Sequence, residues 1–130
     1  MKPRSSSRGR LSRSAEFERV YRQGRSTANR HLVLYTFPSA TTERPRLGLS
    51  VSRKVGGAAE RNRVKRLLRE AFASAEGELI AGQDIVVVAR PQARELAERE
   101  GLAGIDASLG ELIARAGLRP GAGAAEGERS

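Results

Sequence analysis

Apolar residues recur along this chain with two different periods, and the switches between them mark out its elements. Val64, Leu67, Leu68, Ala71, Phe72 and Ala75 fall at i, i+3, i+4, i+7, i+8 and i+11, the helical period without exception, which predicts a helix over 61–75. From Arg46 to Ser52 the period is two. Leu47, Leu49 and Val51 point one way and Arg46, Gly48, Ser50 and Ser52 the other, as in a strand with one dry and one polar face. His31 to Phe37 is rich in β-branched and aromatic residues and reads as a strand with Val33, Tyr35 and Phe37 on one face, closed by Pro38. Asp84 to Ala89 is a continuous apolar run between Gly82 and Pro91, the pattern of a strand buried on both faces.

Two further helices complete the order. Near the start, Ser12 or Ser14 can cap a helix carrying Phe17, Val20 and Tyr21, with Gly24 placed to end it. Near the end, Ile105, Leu109, Leu112, Ile113 and Ala116 predict a helix from about Asp106 to Gly117. The order α-β-β-α-β-α describes an α+β single-domain α-β sandwich with one small sheet, in which strand, helix and strand form a βαβ crossover with a parallel pair. The helix over 61–75 can cover the face of Leu47, Leu49 and Val51. That leaves the opposite face, with Ser50, Ser52 and Tyr35, to stand open.

At 130 residues and 38% hydrophobic content the chain has room for one domain, expected over 11–118. Residues 1–10 are rich in Ser, Arg and Gly, and the end from 119 to 130 is rich in Gly, Ala and Glu. Neither can bury much surface, so both are expected to be disordered. With no cysteine, disulfides, thiolate metal sites and cysteine nucleophiles are excluded. No run approaches the roughly 20 apolar residues of a membrane span, and the basic start lacks the apolar core of a secretory signal. A reducing cytoplasm is the expected location.

Charge sharpens the picture. The chain carries 24 Lys+Arg against 15 Asp+Glu, a net +9. Residues 1–30 hold 9 basic and 2 acidic groups, residues 31–75 hold 9 and 3, and residues 76–130 hold 6 and 10, so the balance runs +7, +6 and −4. Such asymmetry points to a polyanion engaged by the first 75 residues, because neutralising phosphates releases condensed counterions. On the predicted basic helix, advancing about 100° per residue from Val64, the apolar positions cluster within roughly 80° either side, while Asn62, Lys65, Arg66 and Arg69 fall between about 100° and 200°. Arg61 and Arg63 sit on the shoulders, and Arg53 and Lys54 end the preceding strand. A solvated amphipathic helix would show a similar pattern. Here, however, only Glu70 lies within the helix to pair with these cations, and like charges at i, i+4 repel unless a polyanion relieves them.

The string GLSVSRKVGGAAERNRVKRLLREAF from Gly48 to Phe72, with Arg61-Asn62-Arg63-Val64-Lys65-Arg66 at its centre, resembles the signature region of the bacterial ribonuclease P protein family. The resemblance extends through RLSRSAEFERVYRQGR, LVLYTF and QDIVVVARPQA, leaving only the two ends outside. The chain departs from the family pattern at Gly57, where Asn is frequent, and in a longer Glu/Arg-rich connection over 94–104. The resemblance implies a sandwich similar to ribosomal protein S5 domain 2, with a left-handed crossover, and an accessory role in removing the 5′ leader of precursor tRNA. In such an enzyme the RNA subunit is the catalyst and uses Mg2+, while the protein alone binds no cofactor. The resemblance assigns Arg53, Lys54, Arg61, Asn62, Arg63, Lys65, Arg66 and Arg69 to the catalytic RNA. It assigns Phe17, Tyr21 and Tyr35, with Ser50 and Ser52, to the leader of precursor tRNA.

Stacking of unpaired bases on aromatic rings is consistent with three of the five aromatic residues being so placed, although Phe17 and Tyr21 equally suit docking of the first helix on the sheet. His31, the single histidine, reads as a strand-end residue. Asp84 reads as a cap or turn residue before its strand. Gly56-Gly57 is too short to cradle a nucleotide phosphate. A self-sufficient nuclease would need clustered carboxylates or paired histidines, whereas the acids of the basic half stand scattered at positions 16, 18, 43, 60 and 70. Another basic RNA-binding or ribosome-associated protein is the alternative, separated from the leading reading by the motif from Arg61 to Glu70 and the aromatic positions.

Overall fold

The computed structural model describes residues 24–38, 45–79 and 82–118. Its elements are β1 (Arg25–Ala28), β2 (Leu32–Pro38), β3 (Arg46–Ser50), α1 (Ala58–Glu76), β4 (Gln83–Ala89) and α2 (Gln92–Arg115). The four strands form one mixed sheet in the order β1-β2-β4-β3. β4 lies between β2, to which it is antiparallel, and β3, to which it is parallel. That interior position is why DIVVVA carries no polar alternation: Asp84, Ile85, Val86 and Val87 are all buried. The parallel pair β3/β4 is joined through α1, giving the expected βαβ unit.

Both helices cover one face of the sheet. Leu32 and Leu34 of β2, Leu47 of β3 and Ile85 and Val87 of β4 form one cluster with Val64, Leu68 and Phe72 of α1 and Leu96, Ile105, Leu109 and Leu112 of α2. Each large side chain so buried stabilises the fold by about 1.5–3 kcal/mol. All five apolar residues of α1 from Val64 to Phe72 are buried, as their spacing predicts. A glutamate closes the helix start: Glu60 Oε1 accepts from the Gly57 N–H at 2.7 Å, satisfying one of the donors that a helix N-terminus leaves free. At Gly56 the backbone runs so close to Glu60 that an added Cβ would lie 2.9 Å from the Glu60 Cβ.

Four expectations need correction. β1 is an additional strand whose exposed sequence RSTA has no apolar alternation. It forms because Asn29 closes a hairpin onto β2, its Oδ1 accepting from the His31 and Leu32 N–H groups at 2.9 Å each. Arg115 ties the hairpin down by donating to Ala28 O at 3.0 Å. The second correction concerns α2, which begins at Gln92 rather than near Asp106. Its first segment buries Ala93, Leu96 and Ala97 at helical spacing, while Arg94–Glu98 and Glu95–Arg99 pair across single turns. The apparent connection over 94–104 is therefore a helix, interrupted at Gly101 (φ 61°, ψ −145°). Third, Asp84 neither caps nor turns the chain. It lies within β4 at 0% exposure, and both of its carboxylate oxygens accept from Arg46, at 2.8 and 2.9 Å. Fourth, β3 stops at Ser50, so Ser52 lies beyond the strand. The expected basic arm over 1–10, the first helix with Phe17, Val20 and Tyr21, and the end from 119 lie outside the described residues.

Candidate nucleic-acid interface

The turn after β3 and the outer face of α1 bring the sequence's cations together. Arg53 and Lys54 are exposed in a tight turn, in which Val55 N–H donates to Ser52 O at 3.0 Å and Gly56 N–H to Arg53 O at 3.2 Å. The Ser52 hydroxyl oxygen accepts from the Lys54 N–H at 3.2 Å, so this serine shapes the turn. Burial of Val51 and Val55 anchors both ends and turns the two cations outward. On α1, Asn62, Arg66 and Arg69 are exposed and Arg61 and Lys65 partly so, as expected of residues opposite a buried apolar stripe. Arg66 lies 3.9 Å from Glu70 with both side chains at least half exposed, a pairing worth only a few tenths of a kcal/mol. Arg63 is exposed as well, but it differs from this set in that its Nη2 donates to Ala97 O of α2 at 3.3 Å.

The other face of the sheet has a different character. Cross-strand pairing places Val33, Tyr35 and Phe37 opposite Val88, Val86 and Asp84, and these opposite Ser50, Gly48 and Arg46. Val86 is fully buried there, packed with Tyr35, Phe37 and Val88. The centre of this face is thus closed, while Val33, Tyr35, Phe37, Val88 and Ser50 around it remain partly accessible. Arg46 belongs to the same face at 23% side-chain exposure, held by Asp84. Sequence reading singled out Tyr35 and Ser50 but missed Arg46; the available signal was a cation on the polar side of one strand and an acid beginning the neighbouring apolar one. Phe17 and Tyr21 lie outside the described residues.

His31 is half-buried beside β2. Its carbonyl accepts from Arg90 N–H at 2.9 Å and its Nδ1 lies 3.4 Å from the Ser108 hydroxyl. It lines a cleft of about 300 Å³ together with Arg30, Arg99, Ser108 and Glu111. Among the described residues no group of three or more His, Asp or Glu is gathered as a metal site, and no helix is long and apolar enough to cross a membrane.

Comparison with known proteins agrees over nearly the whole chain. Residues 6–116 match the Ribonuclease P family. The ribonuclease P protein component of Shouchella clausii is 50% identical over 91 residues, covering 70% of this chain and 75% of that protein. A Bacillus cereus counterpart is 36% identical over 110 residues, covering 85% and 92%. Among solved structures, the Staphylococcus aureus RNase P protein aligns with a TM-score of 0.78 at 35% identity, covering 85% of this chain and 97% of that one. The Thermotoga maritima RNase P protein aligns at 0.73 and 33%, covering 80% and 94%.

Proposed function

The chain belongs to the ribonuclease P protein family, and from that premise we propose how its surfaces divide the work of tRNA 5′-end maturation. It is a protein subunit of the tRNA-processing endoribonuclease ribonuclease P. In the division proposed, Arg53, Lys54, Arg61, Asn62, Lys65, Arg66 and Arg69 hold the catalytic RNA subunit through its phosphates. Tyr35, with Ser50 and Ser52 and with Phe17 and Tyr21 from the preceding segment, holds the single-stranded leader of precursor tRNA. The RNA subunit performs the hydrolysis with its own Mg2+, and the protein supplies affinity and orientation. The absence of cysteine suits work in a reducing cytoplasm.

One observation carries this reading: the cationic side of α1 and the face of Tyr35 lie on opposite sides of one sheet, with the turn over 52–57 joining β3 to α1. A layer built this way can touch two RNAs at once. Cations suit the polyanionic backbone of a folded RNA, whereas a partly exposed aromatic ring suits unpaired bases, each stacked base contributing about 1–3 kcal/mol. The alternative of an unrelated basic or ribosomal RNA-binding protein is disfavoured by the family match across residues 6–116.

Reconstitution with the cognate catalytic RNA at low Mg2+ tests the assignment. Added protein should increase cleavage of precursor tRNA there, and protein without RNA should leave the precursor intact. If the protein gave no stimulation, its role as the assisting subunit would fail. Cleavage by RNA-free protein that survives extensive purification would instead refute the assignment of chemistry to the RNA.

A further inference from the structure

Arg63 stands apart from the other cations of α1. Advancing about 100° per residue from Val64, Arg61, Lys65, Arg69, Asn62 and Arg66 fill an arc from roughly 60° to 200°, whereas Arg63 falls near 260°, between Glu70 and Glu60. Its guanidinium reaches away from that arc to the second helix, where Nη2 donates to Ala97 O at 3.3 Å. This carbonyl has a particular position. Gly101 breaks α2, and Ala97, four residues earlier, lies in the last turn of the first segment. The final carbonyls of a helix lack the regular donors of its interior and carry the negative end of its dipole. Ala97 is only 1% exposed, so a donor arriving there from outside the helix comes from protein rather than bulk water.

We infer that Arg63 is a positioning residue: it caps the first segment of α2 and thereby sets the rotation of α1, aiming the cationic arc at RNA without gripping a phosphate itself. The inference rests on the reading of that arc as the surface for the catalytic RNA. It divides the signature Arg61-Asn62-Arg63 into two residues that face the partner and one that, although exposed, is tied to the second helix. Arginine suits the task because a planar, permanently charged fork loses little freedom per hydrogen bond made, and a cation at a helix C-terminus is favoured by the dipole.

The test uses the full chain with Arg63→Ala and Arg63→Lys, read by thermal unfolding and by the salt dependence of binding to the catalytic RNA. Arg63→Ala should lower Tm by about 3–6 °C and weaken RNA binding a few-fold, with the log–log salt slope unchanged. Arg63→Lys should recover most of both losses, since an ammonium still donates to the carbonyl. In a Gly101→Ala background, where the break itself is strained, the further Tm loss from Arg63→Ala should shrink, because residues acting through one feature are not additive. A slope reduced by about 0.7–0.9 with Tm unchanged would make Arg63 a phosphate ligand and overturn the inference. Arg66→Ala is the separate control. If it too left the slope unchanged, the reading of the arc as an RNA surface would fail, while Tm, lysine rescue and the Gly101 cycle would still decide the tie to α2.

Discussion

The outer face of α1 and the second face of the sheet are both proposed to hold RNA, yet they are built on opposite terms. The cations of α1 extend from a helix whose stability is provided on its other side by Val64, Leu67, Leu68, Ala71 and Phe72. Fold and binding are there separable by residue. On the sheet, Tyr35 packs on the fully buried Val86 beside Phe37 and Val88, and Arg46 is locked to the buried Asp84. The same side chains both hold the layer and face outward. The difference teaches that truncation on α1, Arg63 apart, reports binding almost alone, whereas truncation on the sheet mixes binding with stability and needs a conservative partner variant.

The largest effect should come where fold and surface are most entangled. Asp84→Ala removes a fully buried carboxylate that both Arg46 hydrogen bonds reach, and should destabilise the fold by about 3–5 kcal/mol, measured by urea unfolding. A loss under about 1 kcal/mol, the range of an exposed pair, would show that the pair is dispensable and the sheet face less entangled than its geometry implies. Tyr35→Ala comes next. It should reduce holoenzyme affinity for precursor tRNA by about 5- to 100-fold, the equivalent of one stacked base, while binding to the catalytic RNA is largely spared. Tyr35→Phe keeps the ring and should retain most of the preference, which separates stacking from hydrogen bonding by the hydroxyl.

Arg66→Ala with Arg69→Ala should leave helix content unchanged and flatten the salt dependence of catalytic-RNA binding by roughly 0.7–0.9 for each phosphate no longer neutralised. Reduced helix content with an unchanged slope would erase the contrast between the two faces. The smallest effect belongs to Glu70→Gln. Removing this exposed partner of Arg66 should change stability by no more than about 0.5 kcal/mol and slightly strengthen RNA binding by freeing the cation, as salt titration of the affinity would reveal.

The sequence was most legible where a single physical demand acts on each residue. The helix over 61–75 shows its period because its positions divide between core and solvent, and the interior strand is legible as an unbroken apolar run because both of its faces are covered. The segment over 94–104 reads as a connection because charges dominate it, although Leu96 and Ala97, with Ala93 just before them, hold helical spacing beneath. β1 was invisible, since a short, exposed edge strand buries almost nothing and depends on Asn29 and on hydrogen bonds to α2, far along the chain at Ser108 and Arg115. The same limit applies to function. A cationic arc is a property of one helix and can be drawn from sequence, but the Arg46–Asp84 pair and the reach of Arg63 to Ala97 depend on which elements become neighbours, and no local period encodes that.

The central claim, that two faces of one sheet layer hold two different RNAs, is tested most directly by comparing tRNA with and without a 5′ leader. Holoenzyme affinity for both ligands should be measured with Tyr35→Ala and with Arg66→Ala/Arg69→Ala, at catalytic-RNA and protein concentrations that keep the complex assembled. The expected result is that Tyr35→Ala weakens only the leader-bearing tRNA, so that the preference for precursor collapses, while the double arginine variant preserves that preference once assembled. Equal loss for both tRNAs with Tyr35→Ala, or collapse of the preference with the arginine variant, would contradict the division of labour between the two faces.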